Sequence, residues 1–211
     1  DKLVTGVQTC ALPISEFADQ VRRIMRASSL SLIVDADHGY GNALNVMRTV
    51  EELEHAGVSG MSIEDTALPA RFGQAEGADE LISTAEMVGK LKAAIAARRD
   101  PATVILGRTA ALKFEDTPRT VARAKAYAAC GVDAIFLVGV EAVDQVKAVH
   151  DAVKLPIMVG SAPASVKRED FAAAGARVLL QGHQPVPAAV KALKGGYSHL
   201  SKGGRPAGPK D

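Results

Sequence analysis

Six short apolar runs, each closing on a polar or glycine residue, punctuate the chain: "LIVDAD" from Leu32, "MSIED" from Met61, "TVILGRT" from Thr103, "AIFLVGV" from Ala134, "PIMVGS" from Pro156 and "RVLLQGH" from Arg177. Runs this short and this uniformly apolar suit strands buried on both faces, the environment of a parallel sheet. Segments of helical period lie between them. In "NALNVMRTVEELEHAG", Leu44, Met47, Val50 and Leu53 mark one face, Asn42 is placed as an N-cap and Gly57 as a C-terminal stop. "STAEMVGKLKAAIAARR" opens on Ser83 with Glu86 in capping-box register, and "TPRTVARAKAYAACG", "EAVDQVKAVHDAV", "KREDFAAAG" and "VPAAVKAL" follow in turn. "SEFADQVRRIMR" reads as a further helix ahead of the first strand.

Strand and helix alternate throughout, which predicts an α/β fold with a parallel sheet. The polar residues fall at the C-terminal ends of different strands, and no G-x-G-x-x-G follows any strand. A barrel makes such ends converge on one site, whereas a doubly wound sheet concentrates its signal at one crossover. The pattern therefore predicts a (β/α)8 TIM-type barrel. Such a barrel needs eight strands and about 250 residues, so with six strands in 211 residues it is expected to be incomplete, lacking two strands at the front.

The front is occupied by "DKLVTGVQTCALPI", which has neither period nor turn logic, and Val4 to Ile14 read as the translation of a common sequencing adapter. Residues 1–14 are accordingly expected to be non-native, residues 15–195 to form the partial barrel, and residues 196–211, rich in glycine and basic side chains, to be a flexible tail or a truncated helix. The long aperiodic stretch after Asp65, which carries Arg71 and several glycines, has the character of a lid at a barrel mouth.

Composition narrows the class of partner. With 25 basic and 24 acidic residues the formal net charge is +1, which supplies no field for nucleic acid or an anionic membrane; a small molecule is the expected partner. The two cysteines, Cys10 and Cys130, form no disulfide or metal spacing, so the chain reads as reduced and cytoplasmic. No apolar stretch reaches membrane-spanning length.

The chemistry-bearing residues cluster at strand ends. In an extended chain Asp35 and Asp37 point to the same side, where two carboxylates repel unless a cation lies between them. Glu64 and Asp65 end the next strand, so three or four carboxylates are expected at one corner of the mouth. Oxygen donors without cysteine or a histidine pair favour Mg²⁺, or Mn²⁺, over zinc. The alternative is that these acids cap helices or pair with arginines. Arg108 is placed to grip a substrate carboxylate, with pairing to Glu64 as its alternative, and His183 to hydrogen-bond a substrate oxygen or relay a proton. His55, His150 and His199 read as surface residues.

"DADHGYGN", taken with "IEDT", "GRT" and "QGH", resembles the isocitrate lyase and phosphoenolpyruvate mutase superfamily, most closely its oxaloacetate decarboxylase branch, from about Ser15 to about Leu193. The resemblance implies an (α/β)8 barrel assembled into homo-oligomers that exchange C-terminal helices. It implies Asp35 as the principal Mg²⁺ carboxylate, Asp37 and Glu64 acting through bound waters, and Arg108 and His183 on the substrate; Tyr40 and Gly41 complete the expected substrate-binding set. The lid lacks the Lys-Lys-Cys-Gly-His of the lyases and the lysine and asparagine of the mutase. That absence favours decarboxylation of oxaloacetate to pyruvate and CO2 through a metal-stabilised enolate. A carbon–carbon lyase, a phosphonopyruvate enzyme of the same superfamily and an inactive barrel fragment stay open beside it, the last because Ala110 stands where relatives usually carry Asn or Glu and because the family's first two strands have no counterpart here.

Overall fold

Each apolar run becomes a strand: β1 (Ile33–Asp35), β2 (Gly60–Glu64), β3 (Val104–Thr109), β4 (Ala134–Val138), β5 (Ile157–Gly160) and β6 (Ala176–Leu180). In this computed structural model the described residues are 13–69, 73–75, 79–163, 165–180 and 185–205. Residues 1–12, with most of the stretch read as non-native, lie outside them. The strands form one parallel sheet in the order β1-β2-β3-β4-β5-β6, the order in which strands follow one another around a (β/α)8 barrel. β1 and β6 pair with only one neighbour each among the described residues.

The connections are helical, as parallel pairing requires. α1 (Ile14–Ala27) precedes the sheet, and α2 (Ala43–Ala56), α3 (Thr84–Ala97), α4 (Thr117–Ala128), α5 (Val143–Val153) and α6 (Arg168–Ala173) link successive strands. Their ends follow local chemistry. The Asn42 side chain accepts from the backbone N–H of Leu44 and Asn45, and Gly57, at φ 98°, closes α2 in the left-handed conformation that a Cβ disfavours. Ser83 caps α3 through Glu86 N, and Asp116 caps α4 through Arg119 N.

The inward face of α2 differs from the expected one. Val46, Thr49, Val50, Leu53 and Ala56 are buried, while Leu44 is 74% exposed. A strict three-residue spacing slips about 60° per step around a helix of 3.6 residues per turn, so Leu44 and Leu53 lie on opposite sides.

Strand alternation divides the apolar side chains between two layers. Met61, Ile63, Ile105, Ile135, Leu137, Ile157 and Val159 pack outward beneath the helices in the main core, joined by Phe17 and Val21 of α1, Met87 and Leu91 of α3, and Tyr127 of α4. Leu106, Ala134, Phe136 and Met158 form a separate inner cluster on the opposite face, with Ile33, Val104, Val138, Val178 and Leu180 around it. The inner cluster floors the end of the sheet at which the polar residues emerge.

The chain divides into two compact units, Asp1–Leu180 and Gln181–Asp211. Within the second, α7 (Pro185–Ser201) continues through Gly195 and Gly196, so a helix occupies the start of the segment expected as a tail. Val186, Val190, Leu193, Tyr197 and Leu200 stand exposed on it in alternating steps of four and three residues, a single apolar stripe. Among the described residues no helix is long and apolar enough to cross a membrane.

Candidate active site

Register brings the site together. Asp35 lies opposite Ser62, Glu64 opposite Arg108, and Arg108 opposite Phe136. Positions two apart on a strand share a face, so Asp35, Ser62, Glu64, Arg108 and Phe136 all point toward the inner layer. Arg108 bridges two strands: Nη1 pairs with Asp35 Oδ2, and Nη2 lies 2.9 Å from Glu64 Oε2. Its Cζ sits 5.2 Å from the centroid of the Phe136 ring, a cation–π distance. Ser62 Oγ donates to Asp35 Oδ1 at 3.3 Å. Pairing of Arg108 with Glu64, one of the two expected alternatives, is realised, and Asp35 shares it.

Burial dominates the electrostatics. Glu64 is 6% exposed, and loss of water, reinforced by the charges of Asp35 and Asp37 against the opposing pull of Arg108, pushes its carboxyl up to about 7. Burial works against the charge of Arg108 too, but Asp35 and Glu64 outweigh it and hold the guanidinium above its ordinary value.

Asp37 does not stand beside Asp35 on an extended strand. β1 ends at Asp35, and Asp37 adopts φ 47° in a turn where its N–H donates to Asp35 Oδ1 at 3.0 Å and its carbonyl accepts from Glu64 N at 2.7 Å. The short polar side chain of Asp tolerates this left-handed conformation. Gly39, at φ 76°, continues the turn, and a Cβ there would come within 2.4 Å of Val46 Cγ2. The turn is thereby pressed onto α2, with Thr49 Oγ1 donating to Gly39 O at 3.2 Å. Asp37 is 5% exposed and reaches the mouth from the loop. Tyr40 packs against the main core, and Gly41 borders a cleft of about 330 Å³ shared with His38, Thr66, Glu86 and Lys90.

Asp65 leaves the expected acidic corner altogether. One residue beyond Glu64, it faces the helices, where Tyr127 Oη donates to its Oδ2 at 2.7 Å, Ala110 N to its Oδ1 at 3.3 Å, and Arg123 Nη1 lies 3.5 Å away. Arg123 also pairs with Glu115 at 2.9 Å and donates to Ile82 O at 3.1 Å. Asp65 is a buried anchor tying β2 to the end of β3 and to α4. At the two ends of the stretch expected as a lid, Ala67 N donates to Glu80 O and Ile82 N to Asp65 O. Arg71 and His183 lie outside the described residues. His150, expected at the surface, is half-buried: its Nδ1 is 2.9 Å from Leu155 O and its ring covers Gly175.

Three contributors escaped the sequence reading. Ser62 shares the face of Glu64 by simple alternation, a signal visible in "MSIED". Phe136 is found only through the lateral register that sets it beside Arg108. Lys90, on α3 and 4% exposed, borders the cleft shared by His38 and Gly41, and burial lowers its pKa against the pull of Glu86, Glu64 and Asp65.

Among the described residues no group of three or more histidine, cysteine, aspartate or glutamate side chains is arranged as a direct metal cage. This donor set nevertheless fits Mg²⁺, which keeps most of its waters and uses one or two protein carboxylates. The Asp35 side chain is 45% exposed, Glu64 is the oxygen donor next to it, and the cationic Arg108 between them shows that the place accommodates positive charge.

Fold and site together define an α/β-barrel protein whose strand ends gather carboxylates and a guanidinium over an apolar floor. The chain belongs to the phosphoenolpyruvate phosphomutase family, whose model matches residues 4–200. It is 50% identical over 204 residues to an oxaloacetate decarboxylase of Bradyrhizobium sp. (strain BTAi1), an alignment covering 93% of this chain and 70% of that relative. A phosphonopyruvate hydrolase solved in complex with oxalate and Mg²⁺ superposes with a TM-score of 0.79 at 30% identity, covering 92% of this chain and 69% of the other. An oxaloacetate acetylhydrolase in complex with 3,3-difluorooxalacetate gives a TM-score of 0.82 at 26% identity, covering 95% and 70%.

Proposed function

We propose that the chain is a Mg²⁺-dependent oxaloacetate decarboxylase, releasing CO2 from the 2-oxo diacid and leaving pyruvate. The observation that carries this reading is the convergence of Asp35, Glu64 and Arg108 from three adjacent strands onto one face. The 50% identity to a decarboxylase of that substrate supports it. Asp35 would hold the cation, with Asp37 and Glu64 supporting it through waters; Mn²⁺ shares the same donor preference. When bound, the metal supplies electrophilic stabilisation of the negative charge that develops as CO2 departs.

The protein's own contribution is placement and exclusion of water. Arg108 presents a planar fork suited to a carboxylate, and Phe136 supports the guanidinium from below. Leu106, Phe136 and Met158 make the floor apolar, which strengthens each charge interaction above it. His183 is assigned the second substrate contact. The working form is read as a homo-oligomer, supported by the apolar stripe on α7.

The test is pyruvate formation from oxaloacetate with Mg²⁺, scored above the rate that free Mg²⁺ gives. Asp35→Ala is expected to bring the rate down to that background, and unchanged turnover would overturn the assignment. Succinate with glyoxylate, and phosphonopyruvate, are expected to yield no product.

A further inference from the structure

We propose that Arg108 is a placeholder for the cation, so that the metal and a dicarboxylate substrate bind cooperatively, each freeing what the other needs. The inference rests on the site reading given under Proposed function and adds to it a coupling between the two ligands. The guanidinium spans the space between Asp35 and Glu64, neutralising two carboxylates that would otherwise repel. A divalent cation needs those same oxygens. A substrate carboxylate gripped end-on by the guanidinium fork needs the same Nη1 and Nη2 that meet Asp35 and Glu64.

The competition therefore has a fixed sense. Metal and guanidinium compete for the acids, and acids and substrate compete for the guanidinium, while metal and substrate compete for nothing. Binding of either displaces Arg108 from the acids or draws it away, and by linkage each raises the affinity for the other by the same factor.

Two features equip Arg108 for the exchange. Its Nε is buried and has no hydrogen-bond partner among the described residues, so the bridging position leaves one donor unused. The Phe136 ring lies beneath the guanidinium at 5.2 Å and attracts it through its face, independently of which oxygens the nitrogens meet. Gly160, next to that ring, gives it room: a Cβ there would lie 3.0 Å from Phe136 Cε2.

The experiment is calorimetric titration of Mn²⁺ into the metal-free full chain, without substrate, at about pH 8.5 so that Glu64 is ionised. Arg108→Ala is expected to bind Mn²⁺ about fivefold or more tightly than the wild type, the lower range of typical site couplings. Equal or weaker binding overturns the proposal, as does the absence of binding in both proteins. A second measurement needs no variant. Modification of Arg108 by phenylglyoxal in the wild type, read by mass spectrometry, is expected to speed up when Mg²⁺ is added, and an unchanged or slower rate overturns the proposal. Neither readout involves turnover, so a failed decarboxylase assay with a positive Mn²⁺ result would sink the activity and keep the placeholder.

Discussion

Glu64 and Asp65 are chemically near-equivalent neighbours with opposite fates, because consecutive strand residues face opposite layers. Glu64 faces the inner layer, where its carboxyl is raised from an ordinary 4.5 to about 7. Between those values the folded chain holds a proton that the unfolded chain has released, so stability falls as pH rises through the window, by about 3 kcal/mol at most. In metal-free protein kept in EDTA, Glu64→Gln is expected to flatten that slope in thermal melts between about pH 4.5 and 7; a slope equal to that of wild type would count against Glu64 as its source. Asp65 faces the helices, and Tyr127 Oη donates to it at 2.7 Å. Tyr127→Phe leaves a buried carboxylate one donor short and is expected to cost about 1–3 kcal/mol in denaturant unfolding.

The elements owe their ends to local rules and their faces to packing. α2 shows both: Asn42 caps it through Leu44 and Asn45, and the glycine-rich turn before it is pressed against Val46. Asn42→Ala is expected to lose about 1 kcal/mol, the value of a good N-cap. Gly39→Ala is expected to lose more, since the new Cβ would meet both a left-handed backbone and Val46 Cγ2 at 2.4 Å. Urea titration of the two variants would rank them, and the reverse order would mean that the turn yields easily. The turn carries Asp37, so the same pressure that shapes it also sets an acid at the mouth.

On the scale of the whole molecule, Arg108 reads three strands at once: it pairs with Asp35 on β1 and Glu64 on β2 and lies over Phe136 on β4. A ligand that binds only this assembled arrangement stabilises the fold by mass action. Mg²⁺ at a hundred times its dissociation constant is expected to add about 2.7 kcal/mol and to raise the melting temperature, with EDTA reversing the shift. The Asp35→Ala protein should show no such rise, and a full rise in it would place the metal elsewhere.

The sequence alone was enough to count and place six strands, alternate them with helices and set Asp35, Glu64 and Arg108 at strand ends, because apolar runs, caps and turn glycines act within a few residues. Alternation along β2 separates Glu64 from Asp65, but the chain could not say where β1 ends or which layer each face meets. Asp37 sits in a turn instead of on the strand, Asp65 faces the helices, and Leu44 points outward from α2 because helical phase and strand length are settled by what each element packs against. The bridge from Arg108 to Asp35 spans 73 residues of chain, and Phe136 lies beside Arg108 only through sheet register. Contacts between residues so far apart carry no period or spacing in the chain, so they exist only once the parallel sheet has brought its strand ends together.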